Sequence, residues 1–229
     1  MEHAVLEAKL GVSFNQKDLL EQAFVHRSYL NENPGFRLDQ NERLEFLGDA
    51  VLELVVTEKL YAQFPEKPEG ELTSLRAALV NAVMLAQVAQ ELDFNQFLLL
   101  SRGESKDTGR ARQYILANTF EAVVGAIYLD QGYAAASGFI ARALLPHLEH
   151  VLAEKLYKDP KSLFQEAAQE RVGITPSYEV LGESGPDHNK RFVVGVSLGQ
   201  ELVAEGEGPS KQAAEIEAAR KGLAAKGWS

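Results

Sequence analysis

Three acidic residues on one short segment are the side chains of this chain best suited to chemistry. Within residues 41–56, Glu42, Glu45 and Asp49 are spaced i, i+3 and i+7, so a helix would place them on one face. Their neighbours are almost all apolar, and a helix that is apolar nearly all round is expected to be buried. Because like charges on a buried face repel, these acids should be protonated, paired or neutralised by a cation.

A second segment, residues 114–129, repeats this pattern with Asn118 and Glu121 at i and i+3, followed by Gly125. In the first segment, Gly48 costs a helix roughly 1 kcal/mol relative to alanine, and close approach of another backbone would offset that cost. We therefore expect two crossed helices that enclose a cation. Oxygen ligands without histidine or cysteine favour Mg²⁺ or Mn²⁺.

A structural explanation competes with this cation site. A single glutamate such as Glu42 or Glu53 is as well explained by a solvated surface position. Arg43 or Arg76 would also neutralise one acid in a salt bridge. The combination that favours a cation site is Glu45, Asp49 and Glu121.

The elements that must position these side chains fall into two groups. Helical periodicity is found near residues 2–10, 17–30, 41–64, 71–92, 113–131 and 134–156, with no convincing strand before residue 158. After Pro160 the pattern predicts a helix, three strands and a last helix, near 160–172, 177–183, 190–198, 200–206 and 210–226. We predict an all-α domain (1–153), a linker (154–160) and a small α+β domain of order α-β-β-β-α (161–229).

Composition limits the function further. The 229 residues include no cysteine, which excludes disulfide scaffolds, thiolate zinc sites and cysteine nucleophiles. A net charge of −10 argues, taken alone, against a nucleic-acid partner. No apolar run long enough to span a membrane and no signal peptide are recognised, so we expect no membrane partner and a cytoplasmic location.

The segment NERLEFLGDAVLEL closely resembles the signature of bacterial ribonuclease III. Other family segments follow in order across essentially the whole chain: HRSY at 26–29, LTSLRAALV at 72–80, the loop 103–110 and ILANTFEAVVGAIYLD at 115–130. The resemblance implies a homodimeric, Mg²⁺-dependent endonuclease without an organic cofactor, which cuts double-stranded RNA and leaves 5′-phosphate and 3′-hydroxyl ends. It also implies a role in processing rRNA precursors, messenger RNA and other structured RNAs.

The same resemblance assigns roles to individual residues. The implied metal ligands are Glu45, Asp49, Asn118 and Glu121, and the implied catalytic acids among them are Asp49 and Glu121. Glu42 matches the first acid of the signature, which the family places near the dimer interface and the scissile strand. Divalent cations held by carboxylates would activate water and neutralise charge at the leaving oxygen.

Asn118 departs from the family, which normally has aspartate at this position. An amide oxygen still ligates Mg²⁺, but the site loses one negative charge. Three explanations remain open: a natural variant with weaker or altered metal use, an engineered reduction of activity, or a degenerate enzyme. The last would be a non-cleaving double-stranded-RNA-binding or ribosome-associated protein. Because the other acids are intact, a natural and active variant is favoured.

The C-terminal segment resembles a double-stranded-RNA-binding domain, which reads the A-form shape of about 16 base pairs. The RNA contacts implied by this resemblance are Gln165, Gln169, His188, Ser210 and Lys211. Where the family often has further basic residues after Lys211, this chain has Gln212 and Glu215. We therefore predict weak, salt-sensitive RNA binding by this domain alone.

Overall fold

The chain divides into two compact units, and the boundary in the sequence falls between Tyr157 and Lys158. The structure is a computed structural model that describes residues 3–106, 108–186 and 190–228. The boundary falls inside 154–160, the segment expected to be a linker. The architecture is the predicted one, a helical unit followed by an α-β-β-β-α unit.

In the described part of the first unit, the regular elements are all helices, and its one β feature is an isolated parallel bridge between Val25 and Leu99. Its helices are α1 (His3–Leu10), α2 (Lys17–Ala23), α3 (Arg27–Glu32), α4 (Glu42–Gln63), α5 (Glu69–Leu79), α6 (Ala82–Glu91), α7 (Arg110–Gln131), α8 (Tyr133–Ala143) and α9 (His147–Ala153). Short 3₁₀ turns lie at Phe94–Gln96 and Glu104–Lys106.

Three long helical segments of the prediction are each split into two helices. Phe24 ends α2, so the segment 17–30 becomes α2 and α3. Asn81 splits 71–92 because its side chain caps α6 by accepting a hydrogen bond from the Met84 amide at 3.0 Å. The segment 134–156 breaks before Pro146, which has no amide hydrogen to continue a helix.

The core of the first unit is built around α7, which is buried on nearly every side along residues 115–127. A row of aromatic rings crosses this core: Phe94 lies 5.0 Å from Phe24 and 6.5 Å from Phe120, which lies 5.5 Å from Phe139. Helix α4 packs along α7 and contributes Leu52, Val55 and Val56 to the same cluster. The two helices with acidic faces therefore form the centre of the unit.

The second unit places two helices against one face of an antiparallel sheet. Its elements are α10 (Pro160–Val172), β1 (Ser177–Ser184), β2 (Arg191–Leu198), β3 (Glu201–Gly208) and α11 (Lys211–Lys226), and the strand order is β1-β2-β3. Val180 pairs with Val194, which pairs with Gly206. The separate core of this unit includes Phe164 of α10 and Leu223 of α11.

No single helix in the described ranges is both long and apolar enough to cross a membrane. The bent pair formed by α5 and α6 meets that criterion on length and composition only.

Candidate functional site

Helices α4 and α7 cross in backbone contact at two glycines. A methyl group on Gly48 would lie 1.8 Å from the carbonyl oxygen of Glu121, and one on Gly125 would lie 2.2 Å from the carbonyl oxygen of Leu44. Only glycine fits at either position without movement of the backbone. The expectation that Gly48 allows another backbone to approach is confirmed, and the crossing sets the spacing between the two acidic faces.

Glu45, Asp49, Asn118 and Glu121 meet at this crossing. Burial raises the pKa of Glu121 to about 8, with further contributions from the charges of Asp49 and Glu45. Burial also raises the pKa of Glu45, together with the charges of Glu42 and Asp49. The Asn118 side chain opposes this shift by hydrogen-bonding the Glu45 carboxylate. The site therefore concentrates negative charge that no cation of the protein neutralises among these contacts.

The prediction that α4 is buried nearly all round is wrong. Asp49 is exposed, and Phe46 and Leu54 are 82% and 58% exposed. This prediction was made because apolar residues occur on all sides of α4. Within one chain, however, only the side of α4 that packs against α7 is buried. Glu45 and Glu121 are half-buried, so the expected cost of burial falls on these two acids.

The oxygen donors adjoin one another without forming a closed cage. In the ranges that the structure describes, no three His, Cys, Asp or Glu side chains are grouped so that they could hold a metal ion. The Asn118 amide adds a donor of a different kind to the three carboxylates. The site is therefore a group of oxygen ligands that carries excess negative charge. The four side chains would have to move for their oxygen atoms to coordinate one ion.

Glu42 lies at the start of α4 in a more polar environment. Its carboxylate accepts a hydrogen bond from Gln40 Nε2 at 3.1 Å and lies 3.8 Å from an Arg27 guanidinium nitrogen. Among the described residues, the cation found within ion-pair distance of Glu42 is Arg27, whereas Arg76 donates to Thr57 Oγ1 at 3.0 Å. Sequence spacing did not identify Gln40 or Arg27 as partners, because both lie outside α4: Gln40 precedes it in a loop and Arg27 is the first residue of α3.

Sequence reasoning also missed an exposed apolar row on α4. Phe46, Leu54 and Tyr61 are 82%, 58% and 75% exposed and lie at i, i+8 and i+15, within one quarter of the helix circumference. Large apolar side chains in such a row mark interaction surfaces. The available signal was an excess of apolar residues in α4 over what one buried face requires.

The predicted RNA contacts of the second unit lie on α10 and at the start of α11. Gln165 is exposed, and Gln169 donates to Thr175 Oγ1 at 2.8 Å. Ser210 caps α11 by accepting a hydrogen bond from the Ala213 amide at 3.1 Å, and Lys211 follows at the first helical position. His188 lies outside the described residues.

Both units of the chain are similar to parts of known proteins. A profile described as Ribonuclease-III-like matches residues 16–148, and one described as Double-stranded RNA binding motif matches residues 160–225. Ribonuclease 3 of Nitratiruptor sp. is 46% identical over 217 residues, which are 95% of this chain and 93% of that protein. Ribonuclease 3 of Pelotomaculum thermopropionicum is 45% identical over 219 residues, covering 96% and 91%.

A solved structure agrees with the first of these matches. The nuclease domain of ribonuclease III from Campylobacter jejuni superposes with a TM-score of 0.58 at 39% identity, and the match covers 64% of this chain and 97% of that domain. A helical nuclease domain joined to a double-stranded-RNA-binding domain is thus the class of protein that the fold and site define. The chain belongs to the ribonuclease III family.

Proposed function

We propose that the protein is a divalent-metal-dependent endonuclease that hydrolyses phosphodiester bonds of double-stranded RNA as a homodimer. The observation that carries this proposal is the coupling of Glu45, Asp49 and Glu121 at the α4–α7 crossing, where burial and mutual repulsion raise the pKa of Glu121 to about 8. The family supports an endonuclease acting on double-stranded RNA.

A hard divalent cation fits the donor set. Glu45, Asp49, Asn118 and Glu121 offer only oxygen ligands, which Mg²⁺ and Mn²⁺ prefer. A cation would also stabilise the ionised form of Glu121, whose raised pKa reports uncompensated negative charge. When bound, such an ion would supply a nucleophilic water at neutral pH and neutralise charge on the leaving oxygen.

The chain's own residues would hold the substrate and the acids in place. Gly48 and Gly125 keep α4 and α7 in contact, so the two acidic faces stay at a fixed separation. The Asn118 amide favours the ionised form of Glu45 by hydrogen-bonding its carboxylate. The second unit would bind the duplex by shape, which places a phosphodiester at the site without selecting sequence.

The homodimer is proposed from the exposed apolar row on α4. Phe46, Leu54 and Tyr61 expose large apolar side chains beside the proposed catalytic face. Burial of aromatic side chains at an interface is a common source of dimer stability. A Campylobacter jejuni relative of known structure is described by flexibility in a region involved in dimer formation of its nuclease domain. Two sites in one dimer would cut opposite strands and leave 5′-phosphate and 3′-hydroxyl ends.

The proposal is tested by incubating the full chain with duplex RNA of about 30 base pairs, longer than the span of one binding domain. We expect cleavage with Mg²⁺ or Mn²⁺, none with a chelator, and products with 5′-phosphates. Glu121→Gln should bind the duplex without cutting it, which separates binding from chemistry.

Asn118→Asp distinguishes an active natural variant from a degenerate enzyme. Restoring the fourth carboxylate should lower the Mg²⁺ concentration needed for half-maximal cleavage, because each added charge strengthens a carboxylate site. An uncut duplex with the wild-type chain at saturating Mn²⁺, together with cleavage by Asn118→Asp, would instead favour the non-cleaving double-stranded-RNA-binding protein.

A further inference from the structure

Acidic side chains of the second unit neutralise many of the lysines and arginines of the same unit. From 159 to 229 the sequence carries 8 lysines and arginines against 11 acids. Ion pairs are found near both ends of α11. Near its start, Glu215 pairs with Lys161 of α10, and at its end Lys226 pairs with Glu201 of β3 at 2.8 Å. Lys211, by contrast, has no ion pair within the described residues and lies over the Phe192 ring at 6.0 Å.

The Lys161–Glu215 pair connects the two helices of the unit. The Lys161 ammonium lies 2.6 Å from a Glu215 carboxylate oxygen, and the two side chains are only 35% and 28% exposed. The same ammonium lies 4.8 Å from the centre of the Tyr178 ring, which adds a cation–π attraction. Asp159 and Glu215 lie close enough to Tyr178 that, after burial, their charges raise its pKa to about 12. Lys161 is therefore held between the Glu215 carboxylate and the Tyr178 ring.

This pair lies beside the residues proposed to contact RNA. Lys161 precedes Gln165 by four residues on α10, and Glu215 follows Lys211 by four residues on α11. Residues four apart share a helix face, so Lys161 and Glu215 lie on the faces that carry Gln165 and Lys211. Both also fall inside the segment 160–225 that matches the RNA-binding motif.

We propose that Glu215 competes with RNA phosphate for Lys161, so that Lys161 is a latent phosphate-binding residue and Glu215 sets the affinity for duplex RNA. Phosphate binding by cations releases counterions, and a lysine already neutralised by a carboxylate releases none. RNA must displace Glu215 before Lys161 contributes. This inference rests on the RNA binding that forms part of the proposed function.

The test measures binding of full-length protein to a fluorescent RNA duplex of about 30 base pairs, in EDTA so that cleavage is absent. Dissociation constants are recorded between about 50 and 200 mM salt. Glu215→Gln should bind about tenfold more tightly at the lowest salt, and its salt dependence should be steeper by about 0.9, the effect of one added phosphate contact.

Two further variants make the result specific to Lys161. Glu201→Gln changes the net charge by the same amount but frees Lys226 at the other end of α11, so its affinity and slope should stay at wild-type values. Adding Lys161→Met to Glu215→Gln should abolish the gain. An unchanged slope in Glu215→Gln, or an equal gain in Glu201→Gln, would overturn the competition. A wild-type chain that binds no duplex at all would overturn the proposed function as well.

Discussion

Replacing Gly48 with alanine should separate α4 from α7 and damage the site that their crossing forms. The new methyl carbon would lie 1.8 Å from the Glu121 carbonyl oxygen, 2.6 Å from the Glu121 carbonyl carbon and 2.9 Å from the Gly125 amide nitrogen. All three neighbours are backbone atoms of α7, so no rotation of a side chain relieves the clash.

The size of the effect follows from this distance. Relief of the clash requires about 1.5 Å of helix movement, because non-bonded carbon and oxygen normally lie no closer than about 3.3 Å. A gap of this size forfeits a large part of the dispersion energy between the helices. Against a gain of roughly 1 kcal/mol in helix propensity, we expect a net loss of about 3 kcal/mol in the free energy of unfolding. Displacement of Glu121 by about 1 Å should lower the cleavage rate about 100-fold.

The chain allows the two units to be followed separately. Its one tryptophan, Trp228, stacks on Phe164 at 5.6 Å in the second unit, so tryptophan fluorescence reports the unfolding of that unit. Far-UV circular dichroism is dominated by the helices of the first unit. In urea, Gly48→Ala should lower the midpoint followed by circular dichroism and leave the fluorescence midpoint unchanged.

Gly138→Ala is the matched control. Gly138 lies within α8, and a methyl group there would have as its nearest neighbour an Arg142 side-chain nitrogen at 3.4 Å, an ordinary contact. This variant should be stabilised by up to about 1 kcal/mol, the gain in helix propensity. If Gly48→Ala were as stable as wild type and cleaved RNA at the wild-type rate, the argument from backbone contact would be refuted.

Three further predictions concern the two units. Burial next to Asp49 and Glu45 keeps Glu121 protonated up to about pH 8, whereas its usual pKa is 4.5. In EDTA, the free energy of unfolding of wild type relative to Glu121→Gln should therefore be greatest below pH 4.5 and should fall as the pH rises to about 8. The fall should be less than roughly 1.4 kcal/mol per pH unit, which is the limit for one proton, and urea titrations at each pH would measure it. Phe46→Ala removes an 82% exposed aromatic ring and should weaken the dimer about 30-fold in sedimentation equilibrium, since central aromatic residues contribute about 2 kcal/mol; an unchanged dissociation constant would place the interface elsewhere. Ser210→Ala removes the cap of α11 and should lower the stability of the second unit by about 1 kcal/mol, measured by Trp228 fluorescence, whereas an unshifted midpoint would mean that water replaces the cap.

Much of the site was predictable because it depends on spacing within single helices. The i, i+3 and i+7 spacing of Glu42, Glu45 and Asp49 determines that they share a face of α4. The glycines Gly48 and Gly125 predicted a close helix crossing, which the structure contains. The α-β-β-β-α order of the second unit followed from the change of hydrophobic period after Pro160.

What the sequence did not determine is which side of each helix is covered. Helical periodicity identifies the residues on one face of α4, but both faces carry large apolar side chains, so Phe46 and Leu54 were expected to be buried and are exposed. The breaks at Asn81 and Pro146 were missed because apolar periodicity continues through them.

The sequence by itself determined the acids, their common faces, the glycines between them and the order of the elements. These are properties of short segments, in which covalent geometry fixes the distance between neighbours. Only the tertiary structure decided other pairs of groups from distant segments: Arg27 beside Glu42, and Lys161 paired with Glu215. Such pairs depend on how helices and loops pack, and packing is settled by the burial of the whole core rather than by local spacing.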